Sequence, residues 1–224
     1  MVAVKNQGKA YPFSYSQHEE NGEQITNFAL YSSVADAVEL CLFENGKKEQ
    51  RFAMHRSENV WHIALSGVAQ GTQYGFRITA ENDRTLANPN KLMLDPYAKA
   101  VVGKPDLSSP EVRSIFQLND PRDNAEFAPK GQIIETAFDW QNDKTPKTPW
   151  AETVIYELNV KGFSQLRTDI PEKLRGTYAG LAQPQSVSYL KELGVTAVEL
   201  LPINYHVNEP HLQEKGLQNY WGYN

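Results

Sequence analysis

The first third of the chain alternates between hydrophobic and polar positions with a period of two, which is typical of half-buried β-strands. Helical periodicity does not interrupt the alternation, so we predict an antiparallel, immunoglobulin-like β-sandwich whose edge lies near Val101. The apolar positions that carry the pattern are Phe28 and Leu30; Val38, Leu40 and Leu42; Phe52 and Met54; Trp61, Ile63 and Leu65; and Tyr74, Phe76 and Ile78.

Turn-forming residues separate these runs at Asn21-Gly22, at Asn45-Gly46 and at Gly67 with Gly71. The Asn45-Gly46 pair lies between two alternating runs, and both residue types tolerate positive φ, so it predicts a β-hairpin. Trp61 is a candidate for stacking on a sugar ring. It shares its face of the strand with Ile63 and Leu65, however, which favours packing in the core.

The pattern changes twice after the predicted sandwich of residues 1–103. Prolines scattered among polar residues make residues 104–150 an irregular connector. In residues 151–224 a strand over Thr153–Val160 is followed by a helix over Pro184–Leu193 that ends before a glycine, and then by a strand over Val195–Pro202. This β-α-β order is the repeating unit of a (β/α)8 barrel, which needs about 250 residues. We therefore predict a multi-domain chain that contains only the first units of a barrel.

Composition and charge exclude several classes of partner. The net charge of -5 and the pI near 5.6 argue against a nucleic-acid or anionic membrane partner, since both require clustered Lys and Arg. The lone cysteine, Cys41, lies in an apolar run and is expected to be a buried thiol. With neither a signal peptide nor a membrane span in the pattern, we expect a cytoplasmic protein.

No cofactor or metal is expected. His206 and His211 share one loop, but that loop offers no Cys or Asp partner at ligand spacing. A glycine loop of the phosphate-binding or dinucleotide-binding type is also missing. The last residues, from Asn219 to Asn224, instead contain Tyr220, Trp221 and Tyr223, and flat aromatic rings near the end of a parallel strand are typical of a sugar-binding site.

Several segments resemble the glycogen debranching enzymes of the isoamylase type, in glycoside hydrolase family thirteen of the α-amylase superfamily. The resemblance spans most of the chain. The segments that carry it are Asn27–Ser32, Val38–Phe43, Thr153–Gly162, Arg175–Tyr178, Leu190–Pro202 and Glu209–Asn224.

The resemblance implies a sandwich of carbohydrate-binding family forty-eight, followed by the first two strands of a catalytic barrel. It also implies a retaining hydrolase whose partner is glycogen or a branched α-glucan, cut at α-1,6 branch points. Tyr223 matches the tyrosine that stacks on the sugar ring next to the scissile bond. Trp221 matches a substrate-contacting position, and packing around Gly222 is the alternative reading. Asn159 and Gln183 depart from the family, which usually carries histidine at the first and often at the second.

Hydrolysis of a glycosidic bond needs two carboxyl groups, and the family places them after later strands. Arg167-Thr168-Asp169 copies the spacing of the nucleophile motif, but it lacks the preceding glycine and apolar strand. Glu157 and Glu199 lie on the predicted barrel strands, where we expect buried, paired and structural carboxylates. No catalytic residue is assigned, and the chain alone is expected to be inactive.

Two other functions stay open. A non-catalytic glycogen-binding or regulatory module is the alternative from a different class. Within the enzymes, a glucan branching or trehalose-releasing relative shares the layout of sandwich and barrel, although the loop Glu209–Asn224 leans towards debranching.

Overall fold

The computed structural model of the chain describes residues 2–44, 48–81, 87–135 and 137–224. Its contacts divide the chain into two compact units, Met1–Ala137 and Phe138–Asn224. Within the described ranges, no helix has the length and the apolar composition needed to cross a bilayer.

Among its described residues, the first unit is built from β-strands and one helix, α1 (Pro110–Ile115). Ser109 caps this helix by accepting a hydrogen bond from the Val112 N–H. Within the described residues its strands are β1 (Ala3–Asn6), β2 (Ser14–Glu20), β3 (Glu23–Tyr31), β4 (Ala37–Glu44), β5 (Lys48–Ala53), β6 (His55–Ser57), β7 (Val60–Ser66), β8 (Gln73–Thr79), β9 (Val101–Val102) and β10 (Lys130–Gln132).

The strands form two antiparallel sheets. In the described part of the chain, the first sheet has the order β1-β7-β3-β2, and β6 also pairs with β7. The second sheet has the order β5-β4-β8-β10-β9. Each strand of the predicted alternation is present, and the structure adds β1, β2 and β6 to the first sheet. The predicted sandwich is confirmed.

The turn between β2 and β3 shows why the Asn-Gly dipeptide is informative. Asn21 and Gly22 have φ values of 53° and 78°, and Glu20 pairs directly with Glu23 across them. Two consecutive positive φ values match the right-handed twist of the flanking strands. The predicted Asn45-Gly46 turn lies outside the described residues, but the strands on either side of it, β4 and β5, are paired from Glu44 and Lys48 onward.

The core lies between the two sheets and uses the inward positions of both. Trp61 is 5% exposed and belongs to this core, so its predicted packing role is confirmed. Burial of such side chains contributes about 1.5–3 kcal/mol each. The fully or almost fully buried core residues include Tyr15, Phe28, Leu30, Val38, Leu40, Leu42, Ile63, Leu65, Tyr74, Phe76 and Ile133.

The outer face of the second sheet is also covered. Cys41 and Phe43 pack there with Leu92 and Ala128, which come from the segment after β8. Cys41 is fully buried, as predicted, and burial raises the pKa of its thiol. A polar cluster completes this face. Arg77 is 1% exposed and donates hydrogen bonds to the carboxylates of Glu49 and Asp123.

Residues 104–150 contribute to the sandwich more than their irregular pattern indicates. β10 inserts between β8 and β9, and Gly131 packs so closely on the Tyr74 ring that a Cβ would lie 2.6 Å from it. Ile133, directly after β10, is fully buried in the core. The compact unit accordingly continues to Ala137, beyond the predicted boundary at residue 103. A strand of three residues is too short to show a period of two, which explains why the pattern did not reveal it.

The second unit contains a parallel pair of strands, β11 (Ile155–Leu158) and β12 (Ala197–Leu200), with Ile155 opposite Ala197 and Leu158 opposite Leu200. The predicted β-α-β order is present. The helices of this unit, within its described residues, are α2 (Val160–Ser164), α3 (Tyr178–Leu181), α4 (Pro184–Glu192) and α5 (Pro210–Gln213), with single 3₁₀ turns at Trp150–Glu152 and Glu172–Leu174.

The strand pair leaves its carboxylates uncovered. Glu157 and Glu199 lie opposite each other on β11 and β12, and both side chains are exposed. The expectation that they are buried and paired is therefore wrong. The reason is that the described part of this sheet has two strands only, so polar side chains on it reach solvent without a partner.

Candidate functional site

The candidate site is the segment of residues 201–224, which follows β12 and is here called the aromatic loop. Parallel strands bring their carboxyl ends to the same edge of a sheet, where ligands commonly bind. The Leu201 N–H continues the ladder by donating to the Leu158 carbonyl oxygen over 2.9 Å. The residues directly after β11 and the first residues of the aromatic loop are therefore neighbours in space.

Asn159 connects these two parts. It follows β11 and caps α2, since its Oδ1 accepts a hydrogen bond from the Gly162 N–H over 2.9 Å. Its Nδ2 donates to the Tyr220 carbonyl oxygen over 3.4 Å. An amide provides an acceptor and a donor at once, so a single side chain begins a helix and holds the loop.

Gly162 lies in α2 directly beneath the Tyr220 ring. A Cβ at this residue would lie 2.5 Å from the Tyr220 hydroxyl oxygen, which is closer than real Cβ contacts. The residue must therefore be a glycine as long as the tyrosine keeps its place. Gly162 thus leaves room for the Tyr220 hydroxyl, while Asn159 holds the Tyr220 backbone.

Asn219 organises the far end of the aromatic loop. Its N–H donates to Asn208 Oδ1 over 2.9 Å, and its Nδ2 donates to the Glu209 carboxylate at 2.9 and 3.1 Å. Its Oδ1 accepts from the Gly222 N–H over 2.6 Å. Four hydrogen bonds on one residue turn the chain back on itself and place Trp221 and Tyr223 at its outer end.

The end of the loop is closed by a second set of contacts. The Val207 N–H donates to the Asn224 carbonyl oxygen over 2.8 Å, and Asn224 Nδ2 returns a bond of 3.0 Å to the Val207 carbonyl oxygen. Gly222 has φ of 79°, a conformation that favours glycine, and a Cβ there would approach Pro202 and His206. The backbone around the rings is therefore defined before any ligand binds.

The two predicted sugar-binding residues, Trp221 and Tyr223, lie at the surface of this frame. The Tyr223 side chain is 73% exposed and Trp221 is 55% exposed. Trp221 packs edge-on against Tyr220, with 5.1 Å between ring centroids and 89° between planes. A fixed, open aromatic face suits the apolar C–H patch of a pyranose. Their role in binding stays a prediction.

The structure explains the Arg167-Thr168-Asp169 motif, which copies the spacing of the nucleophile motif. Arg167 and Asp169 form an ion pair of 2.6 Å, and the Arg167 guanidinium lies 5.2 Å from the centre of the Tyr189 ring. The hydrogen bond from Arg167 lowers the pKa of the Asp169 carboxyl. Through its contact with Tyr189, this ion pair joins the segment after α2 to α4.

The aromatic loop also contains titratable side chains, among them Tyr205. Burial raises the pKa of Tyr205. Within the described ranges, His, Cys, Asp and Glu side chains do not converge in groups of three that could hold a metal ion.

Sequence reasoning missed the positioning role of Asn159, which it treated only as a departure from a family pattern. Asn219 and Tyr220 were expected to be scaffold, and the hydrogen bonds of Asn219 agree with that expectation. The signal for Asn159 was available, because Asn is among the favoured helix N-cap residues and Asn159 lies directly before the apolar Val160. The partners of Asn219 depend on the folded loop, and local sequence does not contain them.

Comparisons with known proteins bear on both units. Residues 12–98 match the family model for carbohydrate-binding module 48, described as the isoamylase N-terminal domain. This range covers most of the first unit and ends before β9. The sandwich is thus similar to this family over the matched residues.

Curated relatives extend over the whole chain. A "Glycogen operon protein GlgX homolog" of Haemophilus influenzae is 62% identical over all 224 residues, which cover 33% of that protein. A "Glycogen debranching enzyme" of Yersinia enterocolitica is 46% identical over 202 residues, covering 88% of this chain and 30% of the enzyme. The chain thus spans about a third of the length of the curated relatives it matches.

Solved structures agree on the fold. A pullulanase of Paenibacillus barengoltzii, in complex with maltohexaose and alpha-cyclodextrin, superposes with a TM-score of 0.66 over 96% of this chain and 31% of its own, at 22% identity. A pullulanase of Bacillus acidopullulyticus gives 0.63 over 99% of this chain and 25% of its own, at 21% identity. Together with the relatives, these findings confirm the resemblance that the sequence carries.

Proposed function

We propose, from the premise that this chain is a relative of the glycogen debranching enzymes, that it is part of a retaining hydrolase that cuts α-1,6 branch linkages in glycogen or its limit dextrin. The observation that carries the proposal is the identity of 46% to a "Glycogen debranching enzyme" and of 62% to a "Glycogen operon protein GlgX homolog", in alignments that extend across both units. The partner is a branched α-glucan. The proposed location is the cytoplasm, with neither nucleic acid nor membrane as a partner.

Within such an enzyme we assign residues 1–103 to the body of the carbohydrate-binding-type sandwich, 104–150 to a connector whose β10 and Ile133 complete that sandwich, and 151–224 to the start of the catalytic (β/α)8 barrel. The parallel order of β11 and β12 around a crossover supports this assignment. The placement of Asn159 and the aromatic loop at the carboxyl ends of the strands supports it too.

The chain alone is proposed to be inactive. A retaining hydrolase needs two carboxyl groups about 5–5.5 Å apart, one of them with a raised pKa. Asp169 is tied to Arg167 and its pKa is lowered, which is the wrong direction for a proton donor. Glu157 and Glu199 are both exposed to solvent, whereas the proton donor of a glycosidase lies in an apolar pocket.

Tyr223 is proposed to stack on the sugar ring beside the scissile bond. Trp221 is proposed either to contact the substrate or to shape the turn at Gly222, and its packing against Tyr220 is compatible with both.

The test is an assay of reducing-end release from branched dextrin. We expect no release by the 224-residue chain and release by the full product of its gene. Release by the chain alone would overturn the proposal that the two catalytic carboxyl groups are not among these 224 residues. Lack of release by the full product, with correct folding, would overturn the debranching proposal.

A non-catalytic glycogen-binding or regulatory module is the second candidate. The match of residues 12–98 to a carbohydrate-binding module favours it, since that match needs no catalytic domain. Co-sedimentation with glycogen that is lost on changing an exposed aromatic residue, in a full product without hydrolase activity, would decide for this alternative.

A further inference from the structure

The carboxylate of Glu209 accepts hydrogen bonds from a side chain ten positions further along the aromatic loop. Asn219 Nδ2 lies 2.9 and 3.1 Å from its two oxygens. Glu209 is also the N-cap residue of α5, where a side-chain oxygen commonly accepts from an N–H of its own helix. This carboxylate makes no such bond with α5. It is directed at Asn219 instead, so it serves a contact across the loop and not the start of the helix.

Two partners define the orientation of the Asn219 amide. An ionised carboxylate only accepts hydrogen bonds, so Glu209 must face the NH2 group of the amide. A backbone N–H only donates, so Gly222 must face the Oδ1 atom, which accepts from it over 2.6 Å. Both conditions are met by the same orientation, and a flipped amide would break both bonds. The acidic side chain therefore decides which end of Asn219 reaches Gly222.

The bond to Gly222 lies between the two exposed rings of the aromatic loop. The Gly222 N–H belongs to the peptide that joins this residue to Trp221, and the next residue is Tyr223. The backbone turns here, with a φ of 79° at Gly222. An acceptor that holds this one N–H sets the direction in which the chain leaves Trp221 and enters Tyr223.

The polar groups of this chain of bonds are more shielded from water than the rings. Glu209, Asn219 and Gly222 are partly buried, whereas the rings on either side of Gly222 are exposed. Shielding strengthens a hydrogen bond to a charged group. The Asn219 N–H donates separately to Asn208 Oδ1 over 2.9 Å. A change of the Glu209 carboxylate therefore acts on the amide and leaves this backbone contact in place.

We propose that Glu209 is a positioning residue of the aromatic loop, which fixes the orientation of the Asn219 amide and through it the backbone between Trp221 and Tyr223. Glu209 acts through Asn219 and needs no contact of its own with a ligand. That the positioned rings receive an α-glucan rests on the proposed function. That the carboxylate positions them rests on hydrogen bonds within the chain.

An exchange of donor and acceptor provides the test. Asn219→Asp removes the NH2 group and sets two carboxylates against each other, while the new side chain still offers an oxygen to Gly222. Glu209→Gln alone keeps an acceptor, so two amides can still pair. The double variant Glu209→Gln, Asn219→Asp reverses the bond, because the new amide donates to the new carboxylate at unchanged net charge. Its behaviour relative to the single variants measures the coupling.

Fluorine NMR of the 224-residue chain, labelled with 5-fluorotryptophan, reports on the position of Trp221. The chain has four tryptophans, and Trp221→Phe identifies the resonance of interest. We expect Asn219→Asp to shift or broaden it, Glu209→Gln to move it little, and the double variant to return it to the wild-type position. The resonance of the buried Trp61 should stay in place. Asn142→Asp adds the same charge at an exposed position outside the loop, and as the matched control it should not move the Trp221 resonance.

Kinetics of the full gene product on branched dextrin test the use of the loop. Asn219→Asp should raise KM by about tenfold and leave kcat nearly unchanged, because a stacking contact is made in the substrate complex as well as in the transition state. The double variant should bring KM back to within about threefold of the wild-type value. A purely structural role of Glu209 would instead lower the folded, active fraction, which reduces kcat and leaves KM alone.

Circular dichroism shows whether each variant is folded. A Trp221 resonance that Asn219→Asp leaves in place, or that the double variant does not return, overturns the proposal, and so does an equal shift in Asn142→Asp. If Asn219→Asp does not fold, recovery of the fold in the double variant supports the coupling, and an unfolded double variant overturns it. Return of the resonance, in a protein whose full product does not hydrolyse dextrin, rejects debranching alone. Hydrolysis with an unmoved resonance rejects the positioning role alone.

Discussion

The hydroxyl oxygen of Tyr220 occupies the space that a side chain on residue 162 would need, 2.5 Å from the Cβ position of Gly162. The ring carbon that bears this hydroxyl is 3.7 Å from the same position, which is an ordinary van der Waals distance. The conflict therefore concerns a single oxygen atom. This relationship joins α2, after the first parallel strand, to the aromatic loop after the second.

Gly162→Ala is expected to displace Tyr220 and to loosen the aromatic loop. Alanine is otherwise the better helix residue by about 1 kcal/mol, so a loss of stability would come from the collision and not from helix propensity. Urea unfolding of the wild-type chain and the variant measures the effect, and limited proteolysis reports on the loop.

Tyr220→Phe supplies the control, because it removes the colliding oxygen. In the Tyr220→Phe background, Gly162→Ala should be neutral or stabilising, so the two changes should be strongly non-additive in a double-mutant cycle. Equal effects of Gly162→Ala in both backgrounds would show that the hydroxyl does not matter.

Asn159 is expected to contribute to stability through its cap. Asn159→Ala should lower the free energy of unfolding by about 1 kcal/mol, since the Gly162 N–H loses its acceptor. Asn159→Ser keeps a capping oxygen and lacks the amide donor to Tyr220, so it should retain most of the stability and still increase cleavage in the aromatic loop. If serine and alanine behave alike by both measures, Asn159 has no separate role in holding the loop.

Tyr223 is expected to contribute a stacking contact to glucan binding. Tyr223→Ala should weaken binding of branched dextrin by about three- to tenfold, and Tyr223→Phe should have little effect because it keeps the ring face. Leu217→Ala is a suitable control, since Leu217 is an exposed residue of the same loop without a ring. Titration calorimetry gives the affinities, and unchanged affinity in Tyr223→Ala would remove this residue from the site.

Stability is expected to fall in acid through Glu49. Burial raises the pKa of this carboxyl, but the hydrogen bonds that it accepts, first of all from Arg77, outweigh burial and lower the pKa from 4.5 to about 2. A lowered folded-state pKa gives stability that is fully present above pH 4.5 and is lost as the pH falls towards 2. Urea midpoints measured between pH 7 and pH 2 should show this decline.

Glu49→Gln isolates that contribution, because the amide does not titrate in this range. The variant should be less stable than the wild-type chain at pH 7, and the difference should shrink as the pH approaches 2. A difference that stays constant with pH would mean that the ion pair with Arg77 is not the source of the acid sensitivity.

The fold of the sandwich follows closely from residue patterns. Alternation predicts the inward positions of β3, β4, β7 and β8, and Asn21-Gly22 predicts a turn that the structure contains. The insertion of β10 between β8 and β9 was not predictable, because it depends on the close fit of Gly131 to the Tyr74 ring and on the burial of Ile133. These are long-range contacts, and a local pattern does not record them.

The sequence predicted a candidate site in the last residues of the chain, but it did not predict how that segment is built. Aromatic residues after a parallel strand suggested a sugar-binding segment, and the resemblance to a family gave Tyr223 and Trp221 their proposed roles, which stay predictions. The hydrogen bonds of Asn219 to Asn208 and Glu209 arise only once the loop has closed.

The bond between Tyr15 and Ile134 gives the sandwich a particular order of assembly during synthesis. The Tyr15 hydroxyl donates to the Ile134 carbonyl oxygen over 3.0 Å and accepts from the Ile134 N–H over 2.9 Å, across 119 positions of sequence. A ribosome releases the amino-terminal strands long before this partner emerges. The nascent module must therefore wait, incompletely closed, until the polypeptide past Ile134 is outside the exit tunnel.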